Sequence, residues 1–311
     1  MNGRKVVTFL LNPYVLLTLV MLAGAGNTVV ARATVGEMPP LALSFWRWVT
    51  AFVILFPIGA RAMFVQRHVL LAQWRIVVAL GAIAVAAFNS LIYLGVQHTT
   101  ALNASLVLSV IPVVTVALSW ILLRERANLR MVVGLAAGLI GVLVIIARGD
   151  ISLLVSLDFN GGDLLVFVSV FCWAGYSILL GRLPPGIRPE GLLLAMVMVG
   201  LVLLAPFYLW EVAAGARMVL SAPNMLGVFY MGAFSSVFSY ILWNRCVGIV
   251  GANVASQFTY LNPAFGGSLA VLLLGESLRP YHAGVLLIFL GIYLATTARQ
   301  VAPKTANADE P

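Results

Sequence analysis

The sequence predicts an all-α polytopic membrane protein: ten transmembrane helices arranged as two inverted five-helix repeats around a central cavity. Three observations predict it. Of 311 residues, 62% are hydrophobic and only 9% are charged, where a soluble domain carries roughly 25% charged residues. Mean hydropathy is +1.06, more apolar surface than a water-soluble fold can hide. A set of segments recurs about 150 residues along the chain, and the apolar runs fall into five per copy.

The repeat is explicit. Asn103-Ala104-Ser105, Pro112 and Leu123-Arg124-Glu125 return as Asn253-Val254-Ala255-Ser256, Pro263 and Leu274-Gly275-Glu276. Gly134 and Gly141 return as Gly284 and Gly291, and Pro57 returns near Pro206. In so apolar a chain, a half-length repeat marks a transporter built from two copies of one bundle. The division expected is a first repeat over 1–150, a second over 151–300 and a cytoplasmic tail over 301–311.

A bilayer core needs about 20 apolar residues in a helix, and cutting at charges, prolines and polar clusters gives the spans in order. Span one, 11–31, follows Arg4 and Lys5 and ends in small residues like a signal peptide, yet it is long enough to cross and begins the first repeat. Span two, 40–60, carries Arg47 some way inside. There snorkelling to the outer face is expected, with contact to a substrate carboxylate as the alternative. Trp46, Trp48 and Trp74 read as an interfacial belt. Span three, 74–95, offers Asn89, Ser90 and Tyr93, with 89 and 93 on one face. Span four, 100–122, offers Asn103, Ser105 and Ser109, and contains Pro112. Span five, 130–147, is studded with Gly134, Gly138 and Gly141, a pattern for close helix packing within or between monomers.

The stretch from Arg148 to Asp163 reads as a loop, and the second copy then begins. Span six, 163–181, gives Trp173, Tyr176 and Ser177; span seven, 191–211, is apolar. Span eight, 224–245, gives Ser236, Ser239, Tyr240, Trp243 and Asn244. Span nine, 252–274, is the most polar, with Asn253, Ser256, Gln257, Thr259, Tyr260, Asn262 and Pro263. Span ten, 281–298, repeats the glycine pattern of span five. Pro112 and Pro263 each remove a helix hydrogen bond at matched positions and are the candidate hinges.

Charge sets the orientation. With the amino terminus inside, 13 of the 18 Lys and Arg residues face the cytoplasm and 5 fall on the other side. Both termini are therefore expected in the cytoplasm. Five spans per copy is an odd number, so the second copy enters the membrane inverted and the substrate site falls near the midplane between the halves.

The paired Asn-to-Pro-to-Glu segments, each followed by a glycine-studded fifth helix, resemble the drug/metabolite transporter superfamily, specifically its EamA-type ten-helix exporters. The resemblance covers roughly residues 11–298, and the texture of the aromatic residues is similar to that of the aromatic amino-acid exporters of bacterial inner membranes. It implies that the first four helices of each half surround a cavity while the fifth and tenth lie at the periphery. It also implies a multi-pass inner-membrane protein exporting amino acids or other metabolites.

Polar groups inside spans face a cavity or a partner helix. Their concentration in spans three, four, eight and nine makes Tyr93, Asn103, Ser109, Trp173, Tyr176, Tyr240, Trp243, Gln257 and Tyr260 the candidate substrate-binding residues. The rings pair an apolar body with one polar tip, suited to an amphiphilic, ring-bearing solute. No Asp or Glu sits near a midplane, which argues for uncoupled transport, facilitated or by exchange. Glu125 and Glu276 read as caps or local partners.

Other classes find little support. The basic residues are scattered, so no nucleic-acid surface is expected. Cys172, Cys246 and the three isolated histidines give no disulfide framework, metal site or cofactor site. Gly232-Ala-Phe-Ser235-Ser236 resembles part of a serine-protease loop without a supporting histidine motif, so no enzyme is expected. The partners expected are a small-molecule substrate and the lipid bilayer, with oligomeric state open. The alternatives to an aromatic amino-acid exporter are a broad-specificity drug or metabolite exporter of the same fold and a non-transporting scaffold or receptor.

Overall fold

In this computed structural model, which describes residues 11–34, 36–147, 150, 152, 158–265 and 283–298, the described chain is helical with short connections. The helices are α1 (Pro13–Ala33), α2 (Pro40–Val65), α3 (Trp74–Gly95), α4 (Ala101–Leu108 and Ile111–Leu123) and α5 (Leu129–Ala147). The second set is α6 (Gly161–Leu180), α7 (Pro189–Ala213), α8 (Ala222–Val250), α9 (Ala252–Gln257, then a 3-10 turn Phe258–Tyr260 and residues 261–265) and α10 (Gly284–Ala298). A six-residue helix, Arg67–Ala72, bridges α2 and α3. Glu276, the end of span nine and the tail after 298 lie outside the described residues.

Seven of these helices are long and apolar enough to cross a bilayer, and Pro13–Asn27 and Gly284–Ala298 add shorter apolar stretches. Large apolar side chains such as Phe56, Phe64, Val202, Trp210, Leu286 and Phe289 point outward. Only lipid accommodates such a surface, and helices are the element that satisfies its own backbone there. This is a polytopic membrane protein.

Local chemistry sets the ends. Prolines stand in the first turns of α2, α7 and α8, where no helix donor is lost. Thr100 and Ser221 cap α4 and α8, accepting from Asn103 N and Asn224 N at 3.1 and 3.3 Å. Asn160 and Asp163 form a reciprocal capping box at the start of α6. Gly251, at φ +83°, makes the turn from α8 into α9. α2 and α8 run past their expected ends at 60 and 245, to Val65 and Val250, because Arg61 and Arg245 are exposed and a basic side chain that reaches water does not break its helix.

The duplication survives in three dimensions. α3 widens into a π-helical segment at Gly81–Ala87 and α8 does so at Met231–Phe238, about 150 positions on. The most extensive packing pairs α5 with α10, α2 with α7, α3 with α6 and α1 with α8, while α4 meets α9. Exchanging every helix for its counterpart five places on leaves that set unchanged, as a two-fold relation requires.

The pairs run antiparallel. A Cβ added to Gly134 would lie 2.7 Å from the Gly291 carbonyl, and one added to Gly141 would lie 2.6 Å from that of Gly284. Rising numbers on α5 thus meet falling numbers on α10, as inversion demands. The glycine pattern therefore packs helix on helix within one chain, which settles what the sequence left open between intramolecular and intermolecular contact.

Candidate functional site

Three layers succeed one another along the bundle. At the end that carries Arg126 and Arg245, a cavity of about 1090 Å³ opens among α4 to α10, with Ser119, Glu125, Asn244 and Asn253 on its walls. Glu125 accepts from Asn253 Nδ2 at 3.2 Å, tying the end of α4 to the start of α9.

Beyond Asn244 lies a cage of aromatic rings that are buried and packed on one another and do not line the cavity. Trp173 of α6 meets Tyr176 at 5.3 Å, Trp243 at 5.0 Å and Tyr240 at 5.6 Å between ring centroids, and Phe88 of α3 at 4.7 Å. Trp48 closes the far side, edge-on to Tyr240 at 5.2 Å. Edge and tilted contacts at these separations are favourable geometries for aromatic pairs. Tyr176 donates to Asn244 Oδ1, and Trp243 Nε1 donates to Ser177 Oγ at 3.2 Å. Trp173 Nε1 and Asn244 Nδ2 are buried with no partner. Unsatisfied buried donors are costly, and with Trp48 Nε1 three of them fall in this cluster.

The third layer is built on Arg47. This residue is only 2% exposed, so the snorkelling expected from its position does not occur. Its guanidinium turns into the bundle because acceptors wait there. Nε donates to Ser236 Oγ at 2.6 Å, Nη2 to the Ser235 carbonyl at 3.1 Å, and Nη1 to Asn89 Oδ1 at 2.6 Å, Tyr93 OH at 2.7 Å and Asn27 Oδ1 at 3.3 Å. Asn89 Nδ2 then donates to Tyr240 OH at 3.2 Å, which joins this layer to the cage. The π segment of α8 matters here: Ser235 and Ser236 lie within it, and its wider turn brings a side chain and a carbonyl to the same guanidinium.

Tyr93, Trp173, Tyr176, Tyr240 and Trp243 are thus brought into one connected network. The other candidates are not. Asn103 sits at the far end, donating to Asp163 Oδ2 at 3.3 Å and the Asp158 carbonyl at 3.1 Å, where it ties α4 to the start of α6. Ser109 bonds locally to the Leu106 carbonyl at 2.5 Å, in the break of α4. Tyr260 faces α5: its ring fills the space beside Gly138, and its hydroxyl donates to the Leu135 carbonyl at 3.3 Å. Gln257 is fully buried on α9, with neither amide atom partnered. Pro112 opens the second segment of α4 just after a non-helical Ser109–Val110 step, and Pro263 follows the 3-10 turn of α9. Each proline lies next to a real break in its helix.

Trp48 is fully buried, unlike exposed Trp46 and Trp74, so it belongs to the cage and not to the interfacial belt. Asn27, Phe88 and Asn244 complete the network and were not among the candidates. For Asn27 and Asn244 the available signal was one amide side chain within an apolar span; for Phe88 there was none. Glu211, expected only at a span end, is 8% exposed and caps α2, accepting from Leu41 N at 3.1 Å and Ala42 N at 2.7 Å.

Comparison with known proteins agrees with this architecture. The EamA-like transporter family matches residues 11–147 and again 160–297. The Bacillus subtilis (strain 168) transporter YyaM is 26% identical over 92% of the chain and 94% of its own length. An Archaeoglobus fulgidus transporter is 28% identical over 92% and 98%. A Salmonella typhimurium protein named "Probable amino-acid metabolite efflux pump" is 25% identical over 89% and 92%. A solved crystal structure superposes with a TM-score of 0.70 at 18% identity, covering 93% of this chain and 98% of that one, which shows a common fold.

Proposed function

The chain belongs to the EamA-like transporter family, and on that premise we propose that it exports a small amphiphilic metabolite, with aromatic and other hydrophobic amino acids as the leading substrates. One observation carries the reading: behind Asn244, which lines the cavity, the buried rings of Trp173, Tyr176, Tyr240 and Trp243 pack into one cluster in which Trp173 Nε1 and Asn244 Nδ2 have no partner. Ring faces receive an apolar body, and the open donors receive its polar part. The name of the Salmonella relative is in keeping with an amino-acid cargo.

The mechanism proposed is alternating access between the halves on either side of residue 150. The end with the cavity also carries Arg124, Arg126, Arg182, Arg188 and Arg245. By the positive-inside rule it faces the cytoplasm of a bacterial-type inner membrane, with both termini on that side. In this reading the described conformation receives solute from inside, and the Arg47 layer closes the outside. The breaks at Pro112 and Pro263 give α4 and α9 places to bend.

Transport is proposed to be uncoupled. The two buried carboxylates among the described residues, Asp163 and Glu211, are both engaged at helix ends, Asp163 at the start of α6 and Glu211 at the start of α2. A proton-driven exchanger needs a carboxylate that titrates beside its substrate.

A cationic drug is the second reading, because the same ring faces attract a desolvated cation. Uptake of radiolabelled Phe, Trp, Thr and a cationic dye into proteoliposomes separates the possibilities. Saturable uptake of Phe and Trp, with Thr and the dye excluded, is expected. Equal uptake of Thr and Phe removes aromatic selectivity, uptake of the dye alone favours the drug exporter, and no uptake favours a scaffold. An absolute requirement for an imposed pH gradient removes the uncoupled mechanism.

A further inference from the structure

We propose that Arg47 is the receptor for a carboxylate on the transported solute, making this protein selective for acids and zwitterions over amines of the same shape. The inference rests on the reading above that the cage is the translocation site, and it names the head group which that site selects.

The first observation is chemical. Arg47 is buried at 2% exposure, and every acceptor it bonds is neutral: the Ser236 hydroxyl, the Ser235 carbonyl, the Asn89 and Asn27 amides and the Tyr93 phenol. A guanidinium cannot shed its charge to escape burial, as a lysine can. Neutral dipoles solvate it incompletely, and a bidentate carboxylate is the ligand whose geometry its fork matches.

The second is arithmetic of donors. Nη1 has two N–H groups and three acceptors within 3.3 Å, while Nη2 has two N–H groups and one acceptor, the Ser235 carbonyl. One side of the fork is overcrowded with acceptors and the other has a donor to spare. An arriving carboxylate can take the spare donor and displace a weaker amide without leaving any nitrogen unbonded.

The third is position. Arg47 lies 5.2 Å from the Trp48 ring and is joined through Asn89 to Tyr240, whose own ring meets Trp173 at 5.6 Å. A carboxylate that enters from the cavity and first meets the open donors of Trp173 and Asn244 thus has Arg47 as the next group along the bundle, one hydrogen-bonded step through Asn89 beyond Tyr240. The internal repeat, registered on Pro57 and Pro206, places the apolar Met196 at the position equivalent to Arg47. The charge is thus specific to one half, as a recognition group would be, and is not part of a symmetric structural device.

The test keeps one ring and varies the head group. Wild-type protein in liposomes is offered phenylalanine, 3-phenylpropionate, phenylalanine amide and phenethylamine as competitors of phenylalanine uptake. The two carboxylates are expected to compete at least about thirtyfold better than the amide and the amine, the scale on which a buried charge-paired contact is lost. Arg47→Gln should erase that preference while keeping the preference for Phe over Ala, and Arg47→Lys should restore part of it. Equal competition by phenethylamine in the wild type overturns the proposal without any variant having to fold. An unchanged head-group preference in a folded Arg47→Gln protein overturns it as well. A parallel series on Ala and alanine amide separates the two readings. Arg47-dependent preference for the acid, with no preference for a ring, sustains this inference and removes the aromatic one. Ring preference with no acid preference does the reverse.

Discussion

Gly134 and Gly291 lie backbone against backbone where α5 crosses α10: a Cβ on Gly134 would meet the Gly291 carbonyl at 2.7 Å, and a Cβ on Gly291 would meet the Gly134 carbonyl at 2.5 Å. The obstructing atom is main chain in both directions, so no side-chain rotation relieves the clash. Gly134→Val and Gly291→Val are each expected to destabilise the protein by about 1–3 kcal/mol. Gly161→Ala, at a site with open space around the added atom, is the matched control. Thermal unfolding in detergent measures all three, and an unchanged midpoint for the α5 and α10 variants would mean the helices do not pack this closely.

Glu211 holds the amino end of α2 by accepting from Leu41 N and Ala42 N across 170 and 169 residues of sequence. Glu211→Ala leaves both donors buried and should cost about 1–3 kcal/mol. Glu211→Gln keeps one acceptor and should recover part of the loss. Identical stability of the Ala and Gln forms would remove the capping role.

Trp173 contributes ring contacts on four sides and one unpartnered N–H. Trp173→Phe preserves most of the ring and is expected to leave uptake of Phe within about threefold. Trp173→Ala opens the cage and should lower uptake efficiency by about tenfold or more, with the change in KM. The two variants compared by initial-rate uptake decide whether the ring or its nitrogen does the recognition. An Ala form as active as the wild type would exclude Trp173 from the path.

Gln257 buries an amide that bonds nothing. Gln257→Leu should therefore leave stability unchanged or raise it by about 1 kcal/mol, because a desolvated polar group is removed. Uptake is expected to fall in the same protein. Unaltered transport would place Gln257 among packing residues and detach α9 from recognition.

Ser119 and Asn244 line the cavity at the basic end. Cysteines placed at 119 and 244, with Cys172 and Cys246 replaced, should react with an impermeant maleimide in inside-out vesicles and not in right-side-out ones. The reverse pattern would invert the proposed topology.

How far the site was legible depends on the residue. Tyr93, Trp173, Tyr176, Tyr240 and Trp243 stand out in the sequence because rings with polar tips are conspicuous in apolar spans, and the fold brings them into one network. Asn103 and Tyr260 carried the same kind of signal, yet the first caps a junction with α6 and the second packs on Gly138. In a soluble helix, amphipathic periodicity tells the buried face from the exposed one. In a membrane helix both the lipid face and the packed face are apolar, so that distinction is lost. Trp46 and Trp48 show the result: near neighbours, read alike, one at the surface and one at 0% exposure in the cage.

By itself, the sequence determined that the chain spans a membrane, that it is a duplication and that the copies are inverted. Those conclusions follow from composition, from matched segments about 150 residues apart and from five being odd. Only the tertiary structure decided that Arg47 turns inward, since its acceptors come from α1, α3 and α8, between 20 and 189 residues away in the chain. A lone arginine in an apolar span reaches for water unless a polar cage is built around it, and no local pattern records a cage assembled by packing.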